Sequence, residues 1–342
     1  MSKYCQSLDN EIKDYFKVLE PDFPDWLNEY IDTKELLFQK NISVTCGTIY
    51  STLFESKFFF SSLDHSVAVA LIIWHFTHDK KQTLSGLFHD IATPAFKHCI
   101  DFLNGDYMIQ ESTEDLTTKI LKNSPEIMAL LKRDNIQILE VDNYHLYPIA
   151  DNDTPKLSSD RLEYSLSNAL FTYRLRSLDE ISEIYNDIVI EHNEENEIEL
   201  GFKTKKIARA FVKLTSQLSI IYRENRTRFS MQFLADILKK LNEEKVISID
   251  DLYHLKETEV IKIIENSKYK DVFKTWKNAK KIFISKTEPK DVYFVHHGAK
   301  VRYIDPLFKG TRMSECCKIA KKIIDKNLSY NMDGYIHLNF KF

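Results

Sequence analysis

Glycine and proline are scarce in this chain, which has 7 glycines and 8 prolines among its 342 residues. Tight turns are therefore few, which argues against a turn-rich architecture. Leucine, isoleucine, lysine, glutamate and asparagine are abundant instead, and many segments have helical spacing of apolar residues. The composition predicts a mostly helical protein, and the length allows one large domain or two unequal ones.

The chain also lacks the marks of a secreted or membrane protein. Its 5 cysteines include the adjacent pair Cys316 and Cys317 but no CxxC or disulfide-framework spacing, as expected for reduced thiols in a cytoplasm. The N-terminus is polar and differs from a signal peptide. The most apolar run, VAVALIIWHF, is about half the length that spans a bilayer. We therefore expect a cytoplasmic protein without membrane contact.

Positive charge is not in excess, because the net charge is −4 and the isoelectric point is about 6.3. The chain as a whole therefore has no electrostatic attraction to nucleic acid. A local alternative is the lysine-rich stretch 267–286, whose spacing is also that of a solvated helix face. Nucleic acid is accordingly not an expected partner.

Helical spacing prevails over the first 266 residues, and strand-like alternation begins in KKIFISK and continues through 291–308. The acidic run EHNEENEIE at 191–199 is expected to be a solvated loop at a helix junction. The sequence predicts a mainly α fold. Its expected parts are a helical domain over 1–266 and a small C-terminal α+β appendage over 267–342.

Two metal-binding residue types stand side by side in TLSGLFHDIATPAFKH, where His89 and Asp90 end an apolar run. A core helix has no need of such a pair. His65 begins the most apolar helix, in SSLDHSVAVALII, where a buried imidazole must be paired or ligated. Imidazole with carboxylate suits Mn, Fe, Ni, Co or Zn better than Ca, and a catalytic site needs three or four protein ligands.

The remaining ligand is expected to be a carboxylate on another helix. Asp160 fits because it starts the helical segment DRLEYSLSNALFTYRL. Asp151 and Asp153 are alternatives, but they lie in the turn-rich segment 142–159, where a ligand is harder to hold in place. The predicted metal ligands are therefore His65, His89, Asp90 and Asp160.

This set resembles the H…HD…D signature of the HD-domain metal-dependent phosphohydrolase superfamily, closest to its deoxynucleoside triphosphate triphosphohydrolase-like branch. HDIATPAFKH resembles that branch's HD-(I/L)-GH-x-PF-x-H stretch, DHSVAVA its EHSLGVA, and DRLEY its D-(R/K)-x-x-Y helix; the resemblance covers roughly residues 40–265. It implies an HD-domain helical core and a divalent metal (Mn, Fe, Ni, Co, Zn or Mg) on those ligands. It also implies hydrolysis of a small-molecule phosphate, a nucleotide or related ester.

Three positions depart from the family pattern. Ser62 stands where the family usually has an arginine that aids phosphate binding. Thr93 and Gln110 stand where it has histidines tied to proton transfer and phosphate contact. Since the metal ligands are retained, the resemblance implies metal-assisted hydrolysis with weak cleavage of triphosphates.

Four further residues are predicted to act in the reaction. His98 is the candidate general acid or phosphate donor, and Glu111 the candidate to orient a water or His98. Tyr164 shares a helix face with Asp160. Arg161 is rotated from Asp160 by about 100° and either reaches the cleft or forms a surface salt bridge.

A basic cluster fits phosphate binding and a solvated face equally well: Arg223, Arg226 and Arg228.

The leading hypothesis is a metal-dependent phosphohydrolase that acts through the H…HD…D site. The alternative is a metal- or nucleotide-binding regulatory module with a weakened HD site, which uses the C-terminal appendage as a partner surface. The sequence leaves open the substrate, the native metal and whether the protein is a homo-oligomer.

Overall fold

The computed structural model describes residues 2–103 and 116–341. Helices make up most of the regular structure. The α-helices of the described residues are α1 (Lys3–Gln6), α2 (Asn10–Leu19), α3 (Leu27–Ile31), α4 (Lys34–Gln39), α5 (Ser62–Thr77), α6 (Lys80–Phe88), α7 (Cys99–Leu103), α8 (Thr117–Asn123), α9 (Pro125–Arg133), α10 (Ser159–Ser167), α11 (Leu178–Asn186), α12 (Lys205–Arg223), α13 (Asn225–Glu243), α14 (Glu257–Glu265), α15 (Lys270–Lys277), α16 (Met313–Cys316) and α17 (Lys318–Leu328).

Short strands form two small sheets in the described part of the chain. The strands are β1 (Ile188–His192), β2 (Ile198–Phe202), β3 (Phe283–Ser285), β4 (Phe294–Val295), β5 (Leu307–Phe308), β6 (Thr311–Arg312) and β7 (Tyr335–His337). The first sheet has the order β1-β2-β5-β6, in which β2 and β5 are parallel and the other neighbours antiparallel. The second has the antiparallel order β3-β7-β4.

The prediction of a mainly α fold, an HD-domain helical core with a small C-terminal α+β appendage, is wrong. Helices hold 54% of the described residues and strands 7%, which makes a mixed α+β fold with a helical majority. Strands from the middle of the chain and from its C-terminal part share one sheet, since Gly201 pairs with Leu307 and Phe202 with Phe308. The division into domains at residue 266 stays a prediction.

The acidic run 191–199 is the main local reason for this difference. It was expected to be a loop, but most of it belongs to the β1–β2 hairpin, whose register pairs Ile188 with Phe202 and His192 with Ile198. The turn includes Asn196 at φ +63°, a conformation that asparagine tolerates well. Glu199 is fully buried because Arg312 binds both of its carboxylate oxygens, at 2.6 and 2.8 Å. A solvated loop would leave that carboxylate exposed.

Two large clusters of buried apolar side chains fill the described part of the protein. The first joins α2, α5, α6, α10 and α12, and the second joins α7, α13, α14 and α15 with β4 and β7. Both clusters also contain residues from beyond 290: Ile304, Met313 and Ile324 in the first, and Val295 and Ile336 in the second. The C-terminal part therefore packs into both cores.

α5 is the helix around which the first core is arranged. Its N-terminus has a capping box in which Ser61 and Asp64 satisfy each other's backbone N–H groups. Residues 62–73 are all buried, as the continuous apolar run predicts. In the described residues, no helix combines the length and apolar character that crossing a bilayer requires.

α6 packs closely against α5 because Gly86 lies at the contact. A Cβ atom added at Gly86 would lie 2.3 Å from Ile73 Cδ1 and 3.2 Å from Val69 Cγ1. The missing side chain therefore lets the two helices approach, which brings the C-terminal end of α6 next to the first turn of α5. His89 follows α6 directly, and His65 is in that first turn.

A buried glutamate on α14 ties the second core to two irregular segments. The Glu257 carboxylate accepts hydrogen bonds from the Tyr50 hydroxyl (2.9 Å), the Ser43 N–H (3.1 Å) and the Phe96 N–H (3.2 Å). Burial raises the pKa of Glu257 from its ordinary 4.5 to about 7, although these three donors act to lower it.

Glu257 should make the stability of the protein depend on pH. Because its folded-state pKa is raised, its contribution is fully present below about pH 4.5 and is lost as the pH rises through about 7. Glu257→Gln removes the titration. The unfolding free energy of the wild type minus that of the variant should fall by roughly 3 kcal/mol between pH 4.5 and 8. Denaturant unfolding at several pH values measures this difference, and a constant difference would contradict the assignment.

Candidate metal centre

Three predicted ligands from three helical elements converge on one point. His65 Nε2 lies 3.2 Å from His89 Nε2 and 3.1 Å from Asp160 Oδ1, and His89 Nε2 lies 3.8 Å from the same oxygen. One ligand atom from each residue lies within 4.8 Å of the others, and this is the group in the described part of the chain that could hold a metal ion. Ligand atoms on one ion at bond lengths of about 2.0–2.2 Å lie about 3–4 Å apart.

The N-cap of α10 positions Asp160. Ser158 caps α10, and its hydroxyl accepts the Arg161 N–H at 3.2 Å. Asp160 then lies in the first turn of the helix. The residues at 157–159, which lead into that turn, are buried. The carboxylate faces α5 and α6 with only a fifth of its side chain exposed.

Asp90 is at the edge of the same group. Its Oδ2 atom lies 3.8 Å from Nε2 of both His65 and His89. The same oxygen accepts a hydrogen bond from the Ser62 hydroxyl at 3.3 Å and from the Lys97 ammonium at 2.5 Å. Asp90 is therefore within reach of an ion at the centre, but it already has a cationic partner.

The orientation of both imidazoles is determined by the acceptors at their other nitrogens. His89 Nδ1 lies 2.7 Å from the Gly86 carbonyl oxygen, and His65 Nδ1 makes a short contact with the Glu163 carboxylate. A carbonyl oxygen and a carboxylate only accept, so both Nδ1 atoms carry the hydrogen. Both Nε2 atoms thus face Asp160 and would offer their lone pairs to a metal ion, in the arrangement of metal-ligating histidines held by a backbone carbonyl or a carboxylate.

These atoms fit a cation. Two Nε2 lone pairs and a carboxylate oxygen within 4 Å of one another repel unless a proton or a metal ion lies between them. The donor set of two imidazoles with one or two carboxylates is typical of Mn, Fe, Co, Ni or Zn. The residues present therefore match the divalent metal that the family resemblance implies.

The electrostatics of the group also favour positive charge. Burial lowers the pKa of His65, but Glu163 and Asp160 outweigh it and raise the value to about 10. Burial raises the pKa of Asp160 and of Asp90, yet His65 and Lys97 respectively bring each below its usual value. Both carboxylates are consequently ionised at neutral pH, and a metal ion would have to displace a proton from His65.

Lys97 reaches the group through a strained turn. Phe96 and Lys97 have φ values of +64° and +43°, a left-handed conformation that costs about 1–2 kcal/mol for a residue with a side chain. The Lys97 side chain is nearly buried as a result. Backbone strain of this kind is concentrated at functional sites.

The other predicted catalytic residues among those the structure describes have partners outside this group. His98 Nδ1 lies 2.9 Å from the buried Asp101 Oδ2. Arg161 Nη1 binds Asn152 Oδ1 at 2.5 Å and faces the loop before α10. The Tyr164 ring centre lies 6.5 Å from that of Tyr222. Glu111, like Gln110, lies outside the described residues.

The alternative ligands and the basic cluster have other partners. Asp151 accepts a hydrogen bond from Ser158 at 3.0 Å and pairs with His145, so it supports the loop rather than the centre. Arg223 and Arg228 are buried and donate to backbone carbonyls, whereas Arg226 binds Glu224 and the Leu53 carbonyl. This cluster forms neither a phosphate site at the centre nor a solvated face.

Three residues beside the centre were not among the predicted site residues, and the sequence signal for each of them differs. Glu163 follows Asp160 by three residues on one helix face, so helical spacing does reveal it as a neighbour of the ligand. Tyr144, whose ring centre lies 5.0 Å from that of His89, comes from a turn-rich segment without periodicity. Lys97 carries no signal, because nothing in the sequence predicts positive φ at a phenylalanine and a lysine.

Two proteins similar to this chain carry no stated activity. No protein-family model matches the chain. An uncharacterized protein, YdhJ of Bacillus subtilis (strain 168), is 23% identical over 284 residues, which cover 80% of this chain and 82% of YdhJ. The crystal structure of a hypothetical protein from Aquifex aeolicus superposes with a TM-score of 0.62 at 15% identity. It covers 92% of this chain and 93% of the other. This structural similarity concerns the fold alone.

Glu163 should be required for tight metal binding, although it is not a predicted ligand. Glu163→Gln keeps the shape of the side chain but weakens the acceptor for the His65 Nδ1–H, so the affinity for Mn²⁺ should fall about 10- to 100-fold. Isothermal titration calorimetry measures this affinity. The matched control is Glu183→Gln, an exposed glutamate on α11, which should bind as the wild type does. Equal affinities in both variants would refute the role of Glu163.

Proposed function

We propose that this protein is a metal-dependent phosphohydrolase of the HD-domain type that acts on a nucleotide or a related phosphate ester. The observation that carries the proposal is the convergence of two imidazole Nε2 atoms with the Asp160 carboxylate, close to Asp90. His65, His89 and Asp160 would hold a divalent ion, and Asp90 would complete the set. The resemblance of the segments around these residues to HD-domain phosphohydrolases adds independent support.

The bound ion would supply Lewis acidity, which lowers the pKa of a coordinated water and polarises a phosphoryl group. The protein's own part is to keep the ligands in place. Glu163 and the Gly86 carbonyl orient the two imidazoles, and the buried setting strengthens every charge interaction there.

Aromatic side chains beside α10 support an organic phosphate as the substrate. Tyr164 follows Asp160 by one helical turn, and its ring makes an edge contact with Tyr222, whose ring in turn lies 6.2 Å from that of Tyr173. The Tyr222 hydroxyl is buried, with the Asn168 side chain as its polar neighbour. The charge of Arg302 acts on both Tyr164 and Tyr222. Aromatic faces with a nearby cation suit a nucleoside phosphate.

His98 is the proposed proton donor to the leaving group. Its Nδ1 atom is held by Asp101, which is fully buried, while a third of the imidazole is exposed. A carboxylate that orients an accessible imidazole is the usual arrangement of a general acid or base. The role of Glu111 stays a prediction.

The alternative, a metal- or nucleotide-binding regulatory module, is favoured by one observation. Within the described residues, His98 binds Asp101 and Arg161 binds Asn152, so neither of these two predicted catalytic side chains is held by the His65–His89–Asp160 group. Turnover separates the two functions: a regulatory module binds metal and nucleotide but releases no product.

Asp160 should be essential for metal binding. Asp160→Ala removes the carboxylate shared by both histidines, so Mn²⁺ binding and any hydrolysis should be lost, while the fold is retained because the side chain is partly exposed. Asp153→Ala, in the preceding loop, is the matched control and should change neither property, since Asp153 is exposed. Metal content by mass spectrometry checks both. Full metal occupancy in Asp160→Ala would refute the ligand set.

The wild type should release inorganic phosphate from a nucleotide panel with Mn, Ni, Co or Mg, and little tripolyphosphate from deoxynucleoside triphosphates. Ser62 and Thr93 provide no charge for binding a triphosphate, and each missing charged contact costs about 1.5–3 kcal/mol.

His98→Ala should lower turnover about 10²- to 10⁴-fold without loss of metal. Strong tripolyphosphate release, or full activity of His98→Ala, would contradict this mechanism.

A further inference from the structure

The side chain of Lys97 is the nearest fixed positive charge to the candidate metal centre among the described residues. Lys97 is 8% exposed, and its Nζ atom lies 2.5 Å from Asp90 Oδ2. That oxygen lies 3.8 Å from Nε2 of both His65 and His89. The ammonium group is therefore separated from the point of convergence by a single carboxylate oxygen.

The ammonium group has unused hydrogen-bonding capacity. It carries three N–H donors, and Asp90 is its one acceptor within residues 2–103 and 116–341. Buried donors without acceptors are costly, so a site that keeps two of them nearly buried is suited to an oxygen-rich partner. Such a partner would have to enter beside Asp90, on the side of the metal centre.

The balance of charge leads to the same conclusion. Asp90, Asp160 and Glu163 place three negative charges around the centre, and a divalent ion compensates two of them. Without Lys97, the loaded centre would be negative and would repel an anionic substrate. The lysine makes the loaded centre neutral, and it does so from a position next to a metal ligand.

The backbone is organised to keep Lys97 there. The residues before it are held by side chains and backbone from elsewhere: the Gln39 amide donates to the carbonyls of Ile91 (2.8 Å) and Thr93 (3.2 Å), and the Ala95 N–H donates to the Leu252 carbonyl (2.8 Å). Together these contacts hold the backbone on which the left-handed turn at Phe96 and Lys97 is built. Such a conformation persists only when the surroundings impose it.

We propose that Lys97 binds a non-bridging phosphoryl oxygen of the substrate while Asp90 contacts the metal ion. This inference rests on the proposed phosphohydrolase function and assigns the phosphate-binding charge of that site. A lysine suits the position because its ammonium is a compact charge that can serve Asp90 and a phosphoryl oxygen at once.

Binding of inorganic phosphate tests the inference without turnover. Calorimetric titrations with phosphate, in the presence and absence of Mn²⁺, compare the wild type with Lys97→Met, which keeps the length of the side chain but not its charge. The phosphate Kd of Lys97→Met should rise at least 10-fold, whereas Mn²⁺ should bind no more weakly than to the wild type. The control Lys262→Met removes an exposed lysine of α14 and should change neither. If Lys97→Met does not fold, Lys97→Gln replaces it, since the amide can still donate to Asp90.

The outcomes separate this inference from the proposed function. Unchanged phosphate affinity in the Lys97 variant, with Mn²⁺ bound, overturns the role of Lys97 and leaves the function standing. A wild type that binds Mn²⁺ but no phosphate would likewise overturn the role of Lys97 and leave the proposed function standing. If the variant binds Mn²⁺ much more tightly but phosphate with equal affinity, Lys97 only neutralises Asp90. That outcome also overturns the proposed phosphate-binding role of Lys97. Phosphate binding that depends on Lys97 in a protein that binds no metal would support the lysine and refute the metal-dependent function.

Discussion

The buried carboxylate of Glu163 is the constraint on which the candidate site depends. It is fully buried, contacts His65 Nδ1, and accepts hydrogen bonds from the Tyr15 hydroxyl (3.2 Å) and the Ser167 hydroxyl (3.3 Å). A buried charge is tolerated only with such partners, so α2, α5 and α10 must pack in the one arrangement that supplies them. The direction in which His65 presents its Nε2 atom then follows from the packing of the core.

The C-terminal part of the chain supports the same site from the other side of α10. Arg312 binds both carboxylate oxygens of the buried Glu199, and one of these oxygens also accepts the Leu157 N–H at 2.9 Å. Leu157 immediately precedes Ser158, the residue that caps α10, so the ion pair holds the loop that ends at Asp160. Removing one partner of such a buried pair would leave an uncompensated charge, which makes the pair important for specifying the loop conformation.

Much of the site, but less of the fold, could be predicted from sequence. The helices that carry His65 and Asp160 have local signals, an apolar run after a capping box and a serine cap before an amphipathic stretch. The β1–β2 hairpin has no comparable signal, since its charged residues hide the alternation and Glu199 is buried only through an arginine 113 positions away. Lys97 likewise depends on distant contacts. Local patterns therefore predicted the helices that bring His65 and Asp160 together, whereas long-range charge pairing, which sequence patterns do not show, determined what lies around them.

The centre lies where the two hydrophobic cores meet. Ile91 belongs to the first core and Ala95 and Phe96 to the second, so the chain crosses between them just after the predicted ligands His89 and Asp90. His65 is fixed by the first core through Glu163, whereas the turn that carries Lys97 is fixed by the second through the Leu252 carbonyl and Glu257. The contact between Lys97 and Asp90 thus joins the two cores at the site. His65 lies on α5 and His89 directly follows α6, and both helices belong to the first core, so a shift of one core against the other would change the contact of Lys97 with Asp90 before it changed the distance between the two imidazoles.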